Sequence, residues 1–162
     1  MLFSGVFILQ FFSCQQKEEI SKATEENKAS VRRLIDEAWN KGNLAVIDQI
    51  LSPEYRLHIQ APGAMDREGY HQAVSMYRSA FPDFLFTIED MVAEGDKVVI
   101  RATMTGTQEG ELMGLPPSGK MLTMEAIAIR RFEDGKIVEE WVLTDMLGMM
   151  QQMGVVQMPG SP

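Results

Sequence analysis

The spacing of apolar residues predicts helices in the first half of the chain. From Asn27 onward they recur at intervals of three and four, which predicts an amphipathic helix. A short second helix is expected over 44–51. A third begins with Asp66 as its N-cap and ends before Pro82. Between the second and third helices, residues 54–60 alternate with period two and predict a strand.

After the third helix the apolar period changes from 3.6 to 2. We expect strands over 84–93, 98–107 and 121–132, followed by a hairpin turn at 133–136 and a final strand. Helices followed by an antiparallel meander are typical of an α+β domain and not of the alternating βαβ pattern. The sequence therefore predicts an α+β fold with a curved antiparallel sheet packed on N-terminal helices.

Such a sheet, wrapped over a long helix, would leave a cone-shaped central pocket suited to a small apolar ligand. Trp39 and Tyr77 lie on the buried stripes of the predicted helices, and we expect them to line it. The loop over 110–120 carries Leu112, Met113 and Leu115 and is expected to form a lip over the pocket mouth.

The final strand carries the main candidate for chemistry. Strict alternation places Trp141, Leu143 and Asp145 on one face. Asp145 then has two interpretations, a cap at the strand end or a carboxylate inside the pocket. In the pocket, poor solvation would raise its pKa toward the range of a general acid or base that abstracts a proton next to a carbonyl. Asp145 is therefore a candidate catalytic residue, and Trp141 and Leu143 are candidate pocket residues.

Three further polar residues on predicted strands are candidates. His58 lies on the face opposite Tyr55 and Leu57 and is either a pocket acid or base or a partly exposed strand histidine. Arg101 and Glu125 lie in the middle of strands among apolar neighbours. They either form a cross-strand ion pair or line the pocket, since a buried arginine needs an acidic partner.

Composition excludes several classes of function. The 162 residues suffice for one domain with a core, and 23 acidic against 15 basic residues give a net charge of −8. This balance argues against nucleic acid as a partner. Two histidines and one cysteine argue against a metal site. Thirteen methionines suit either an adaptable cavity or ordinary core filling.

The N-terminus resembles a bacterial lipoprotein signal. Residues 1–13 include an apolar run too short to cross a bilayer, and Cys14 follows as the residue that would receive lipid. The mature protein would then be anchored at the cell envelope by lipid on Cys14 alone, with 14–26 as a polar tether. The alternative is a frayed apolar N-terminus with a buried thiol in a cytoplasmic protein. We expect the folded domain to span 27–154 and a disordered tail to span 155–162.

Several segments together resemble a known family. They are 31–58, 81–107, the loop GLPPSGK at 114–120, and DGKIVEEWVLTDMLGMMQQMG at 134–154. In order and separation these segments resemble the SnoaL-like polyketide cyclase, or ester cyclase, family of the nuclear-transport-factor-like cone superfamily. The resemblance implies a conical pocket and a homodimer. It also implies a cofactor-free intramolecular aldol condensation in which one aspartate moves the proton.

The family's ending reads roughly H-W-D-x-x-D-x-L-G-x-x-x-Q-x-G. Glu140 replaces its histidine and Val142 its first aspartate, while the matching residues are Trp141, Asp145, Leu147, Gly148, Gln152 and Gly154. If the second aspartate is the acid–base residue, Asp145 inherits that role. If the first is, this chain lacks it. His58 matches a histidine common in the family's first strand.

Two hypotheses of function follow. The first is a cyclase-like enzyme that acts on a small apolar carbonyl compound, with Asp145 as acid and base and His58 or Arg101 polarising the carbonyl. The second is a non-catalytic protein of the cell envelope that holds a small apolar ligand in the same pocket. The predicted lipid anchor and the departures at 140 and 142 favour the second.

Overall fold

The computed structural model describes residues 4–59 and 64–156, with side chains described from residue 18 onward. Within these residues the elements follow the predicted order: helices with a strand before the last of them, and then a meander of strands. They are α1 (Ser4–Arg33), a π-helical segment (Leu34–Asn40), α2 (Ala45–Ile50), β1 (Leu51–His58), β2 (Ala64–Met65), α3 (Arg67–Ala80), β3 (Leu85–Glu94), β4 (Lys97–Thr107), β5 (Met121–Glu133), β6 (Lys136–Thr144) and α4 (Met146–Met153).

The predicted α+β fold class is confirmed. The strands form one curved sheet in the order β2-β1-β6-β5-β4-β3. The sheet is mixed and not wholly antiparallel, because β1 pairs with β6 in parallel while the other neighbours are antiparallel. A parallel pair needs a long connection, and α3 with the β3–β5 meander supplies it.

The helices cover the inner face of the sheet. The end of α1 and the π-helical segment bury the predicted stripe, which consists of Val31, Leu34, Ile35, Ala38 and Trp39. The predicted cap of α3 is also present, since an Asp66 carboxylate oxygen accepts from the Gly69 amide at 2.9 Å. Tyr70 and Val74 of α3 are buried against the same core.

A bulge in β6 decides which residues face the helices. Arg131 pairs with Glu139 but Phe132 pairs with Ile137, so Val138 has no counterpart in β5. The extra residue reverses the alternation. Ile137 and Glu140, three positions apart, are 0% and 1% exposed, whereas Trp141 and Leu143 point outward at 37% and 55%. The predicted face assignment beyond Val138 is therefore wrong.

Several predictions concern residues at the ends of the chain. The predicted tether, 14–26, lies within α1. The side chain of Cys14 and residues 1–3 lie outside the described residues, so the signal peptide and lipidation stay predictions, and so does disorder of the tail, of which 157–162 is not described. In the described part, no helix combines the length and apolar character needed to cross a membrane.

Candidate active site

A cavity of about 350 Å³ lies between the helices and the inner face of the sheet. Its wall is almost entirely apolar, and Trp39 and Tyr77 belong to it, as expected from the sequence. Five of the lining residues are methionines, namely Met65, Met76, Met104, Met113 and Met146. Flexible thioether side chains suit a wall that adapts to the shape of a ligand.

Small side chains on β4 and β5 leave the space for this cavity. Ala102 and Ala126 are cross-strand partners and line the wall together with Ala128. The bulkier Ile127 and Ile129 of β5 point to the opposite face and are exposed. The sheet thus places its larger apolar groups outside and its alanines inside.

A buried polar cluster lies in this apolar wall. Arg130 and Glu140, cross-strand partners on β5 and β6, form an ion pair with 2.6 Å between Nη2 and Oε1, and both side chains are 2% exposed. The Tyr55 hydroxyl donates to Oε2 of Glu140 at 2.7 Å. Nearby, the Trp39 indole N–H donates to the Tyr70 hydroxyl at 2.7 Å. Arg130, Glu140, Tyr70 and Trp39 all line the cavity.

The protonation of the cluster follows from burial and from the charge of Glu140. Burial raises the pKa of the Tyr55 and Tyr70 hydroxyls, and the Glu140 carboxylate raises it further, so both keep their protons at neutral pH. Burial opposes the charge on Arg130, but Glu140, Tyr70 and Tyr55 together outweigh it, and the pKa of the guanidinium lies above its ordinary value. The cavity wall therefore carries a permanently charged guanidinium.

Asp145 lies outside the cavity. It is exposed and caps α4, where its carboxylate oxygen Oδ1 accepts from the Gly148 amide at 2.8 Å. Of the two interpretations from the sequence, the structure supports the strand-end cap. The expectation of a poorly solvated carboxylate beside Trp141 and Leu143 is wrong, because the bulge at Val138 turns those two side chains to the outer face.

His58 also lies on the outer face. Its ring stacks on Trp141 with the centroids 5.3 Å apart, and Nε2 lies 3.3 Å from Oε1 of Glu139. The structure thus matches the interpretation as a partly exposed strand histidine, and His58 does not reach the cavity.

Arg101 and Glu125 are exposed on the same outer face. Arg101 pairs with Asp90 at 2.7 Å, while Thr103 is the cross-strand partner of Glu125. Both expectations for these residues, an ion pair with each other and a place in the pocket, are wrong. Alternation had grouped Glu125 correctly with Met121 and Ile127, but that group faces away from the cavity.

Part of the predicted lip reaches the cavity. Met113 lines it, whereas Leu112 is buried in the core. The buried Gln108 holds the loop by donating to the carbonyls of Gly110 and Pro116 and accepting from the Ser118 amide. Among the described residues, no three His, Cys, Asp or Glu side chains are grouped to hold a metal ion.

Sequence reasoning missed Arg130, Glu140, Tyr55 and Tyr70 as site residues. The sequence did contain an indication for Arg130, because alternation along β5 puts it on the same face as Ala126 and Ala128. An opposite charge lies across the predicted hairpin at Glu140. Only the bulge hid the pairing, because strict alternation puts Glu140 on the face opposite to Ile137.

Comparison with known proteins identifies the family. A family model described as SnoaL-like polyketide cyclase matches residues 29–153. The chain belongs to this family. Aklanonic acid methyl ester cyclase AcmA of Streptomyces galilaeus is 29% identical over 136 residues, which cover 80% of this chain and 91% of AcmA.

Solved structures of similar proteins have the same fold. TsrD of Streptomyces laurentii is 35% identical with a TM-score of 0.70, covering 79% of this chain and 97% of TsrD. A Jannaschia sp. CCS1 protein, described as a candidate SnoaL-like polyketide cyclase, is 28% identical with a TM-score of 0.75, covering 83% of this chain and 95% of its own.

The structure gives three residues of the family's C-terminal motif a structural role. Asp145 and Gly148 form the helix cap, and the Gln152 side chain bonds both the amide and the carbonyl of Thr123, at 2.8 and 2.7 Å. Position 142, where the family has its first aspartate, faces the cavity and is valine here. Among the residues that the structure describes, Glu140 is the one carboxylate that lines the cavity.

Proposed function

We propose that this protein is a cyclase-type enzyme that performs cofactor-free acid–base chemistry on a small, largely apolar carbonyl compound, with Glu140 as the proton-transferring residue. The observation that carries the proposal is a buried carboxylate, paired with Arg130, in the wall of a mostly apolar cavity. The cavity volume of about 350 Å³ suits a small organic ligand. The names of related proteins, among them aklanonic acid methyl ester cyclase, support an ester as substrate.

The proposed reaction begins with transfer of a proton from a carbon next to a carbonyl group to Glu140. The electron pair of the broken C–H bond forms an enolate, and the charged guanidinium of Arg130 stabilises the negative oxygen. The enolate carbon then attacks a second carbonyl of the same molecule, which closes a ring and leaves an alkoxide. Glu140 returns the proton to that oxygen, so no redox partner is needed.

The contacts of Glu140 suit this role. Arg130 holds one carboxylate oxygen and Tyr55 the other, which fixes the carboxylate in one orientation. Each oxygen has a further lone pair to accept a proton. The apolar side chains of the wall are not electrophiles, so the second carbonyl of the ligand is the group that the enolate attacks.

A second candidate function is ligand binding without turnover. The observation that favours it is Val142, which leaves the cavity without the aspartate of the family motif. The predicted lipid anchor on Cys14 would place such a binding protein at the cell envelope.

Hydrogen–deuterium exchange in a bound ketone, at the carbon next to its carbonyl group, distinguishes the two functions. 2-Tetralone, a bicyclic ketone, is incubated in D₂O with the protein, and NMR measures deuterium incorporation next to the carbonyl. We expect acceleration over buffer and a loss of about 100-fold or more in Glu140→Gln. Glu139→Gln, which removes the neighbouring carboxylate on the outer face, should leave the rate unchanged. Exchange at the buffer rate by a protein that binds tetralone would overturn the catalytic proposal in favour of binding.

A further inference from the structure

Within the described residues, several hydrogen-bond donors of the buried cluster have no acceptor. Nη2 of Arg130 donates to Glu140, but Nε and Nη1 have no hydrogen-bond partner in the described part of the chain. The Tyr70 oxygen accepts from Trp39, which leaves the hydroxyl hydrogen for a further bond. Buried donors without a partner cost free energy that an acceptor on a ligand would recover.

The charge of the cluster restricts which acceptor fits. Glu140 already balances Arg130, so the buried pair is neutral as a whole. A carboxylate on the ligand would add an uncompensated negative charge in an apolar cavity, close to the Glu140 carboxylate. A neutral carbonyl oxygen would accept from the guanidinium without that cost.

We propose that Arg130 determines the specificity of the cavity: Nε and Nη1 bind a neutral carbonyl oxygen of the ligand, while Glu140 excludes ligands that end in a carboxylate. The cavity thus selects esters and ketones over the corresponding free acids. This inference deepens the proposed function, on which it rests for the identity of the site, and concerns binding and not turnover.

Three probes that share one apolar ring system test the inference on the wild-type protein. They are methyl 2-naphthoate, 2-naphthoate and 2-ethylnaphthalene, and equilibrium dialysis at pH 7 in H₂O measures their dissociation constants. We expect the ester to bind at least about tenfold more tightly than the hydrocarbon, as for one hydrogen bond to a charged group. The ionised acid should bind more weakly than the ester. A hydrocarbon that binds as tightly as the ester, or an acid that binds more tightly, would overturn the inference.

A charge change then tests the part assigned to Glu140. Glu140→Gln removes the balancing charge but keeps an amide oxygen for Tyr55 or Arg130. The ratio of acid to ester affinity should rise at least about tenfold, because the naphthoate now supplies the missing negative charge. Glu139→Gln, on the outer face, should leave the ratio unchanged. If Glu140→Gln folds and its ratio of acid to ester affinity is unchanged, the charge argument is contradicted. If that variant does not fold, the three affinities of the wild-type protein decide whether the inference holds.

The two proposals fail in different ways. Ester selectivity without deuterium exchange would leave a carbonyl-binding protein with no catalysis. Exchange that depends on Glu140, without ester selectivity, would leave the enzyme but remove Arg130 as its specificity residue.

Discussion

Glu139 and Glu140 are consecutive in the chain, yet their carboxylates have opposite environments. Glu140 is buried in the cavity wall, where it pairs with Arg130 and accepts from the Tyr55 hydroxyl. Glu139 bridges Arg131 and His58 on the outer face, at 2.8 and 3.3 Å. The pair therefore provides matched variants. The same Glu→Gln change, one residue apart, tests the cavity in one case and the outer surface in the other.

Loss of Arg130 should destabilise the fold strongly. Arg130→Met leaves the Glu140 carboxylate buried without its cation, which we expect to lower the free energy of unfolding by about 3–5 kcal/mol. Adding Glu140→Gln removes that charge and should recover part of the loss. Arg101→Met is the control, because Arg101 and Asp90 pair on the exposed outer face, where solvent screens their attraction. Urea denaturation measures all variants, and equal effects at positions 101 and 130 would refute the prediction.

Asp145 should behave as a helix cap. Asp145→Ala should lower the free energy of unfolding by about 1 kcal/mol, whereas Asp145→Asn, which retains a capping oxygen, should lower it less. Gly148→Ala should also destabilise the protein, because its methyl group would collide with the Asp145 carboxylate. Thermal denaturation tests this order. An Asp145→Ala protein as stable as the wild type would show that the cap does not contribute to stability.

The cavity should be removable without loss of the fold. Ala128→Leu places a larger side chain into the space that the alanines leave, and we expect it to remain folded and to lose at least about tenfold in affinity for methyl 2-naphthoate. Ile127→Leu is the control, since Ile127 points to the outer face. Equilibrium dialysis gives both affinities, and an Ala128→Leu protein that binds as the wild type would place the ligand elsewhere.

Acid should weaken the outer-face contacts of Glu139. The hydrogen bond from Arg131, followed by that from His58, lowers the pKa of Glu139 below its ordinary value of 4.5. Its contribution to stability is therefore complete above the pKa of the unfolded state and is lost as pH falls through the lower pKa of the folded state. Glu139→Gln lacks this contribution. The melting temperatures of wild type and variant should converge as pH falls from 6 to about 3, and a constant difference would contradict the assignment.

The order of the elements and the fold class could be predicted because periodicity and turn residues report on them directly. The stripe at Trp39 and the cap at Asp66 are local patterns, and both are present in the structure. The environment of Asp145 was predicted wrongly for a specific reason. One unpaired residue, Val138, reverses every later side chain of β6, and a bulge leaves no distinct pattern in a single sequence.

The inner face of β5 was also difficult to predict. A cavity needs small residues in its wall, so Ala126 and Ala128 point inward while Ile127 and Ile129 point outward. A rule that places the bulkier apolar face inside then chooses the wrong face. The informative residue was Arg130, a charge in register with buried positions, whose partner lies directly across the hairpin.

The most direct test of the central claim compares two carboxylates in one exchange assay. Glu140→Gln and Asp145→Asn are incubated with 2-tetralone in D₂O beside the wild type, and NMR gives the rate of deuterium incorporation next to the carbonyl. If the chemistry occurs at the Arg130–Glu140 cluster, Glu140→Gln should exchange at a rate near that of buffer and Asp145→Asn at the wild-type rate. A rate that survives Glu140→Gln and falls in Asp145→Asn would contradict it.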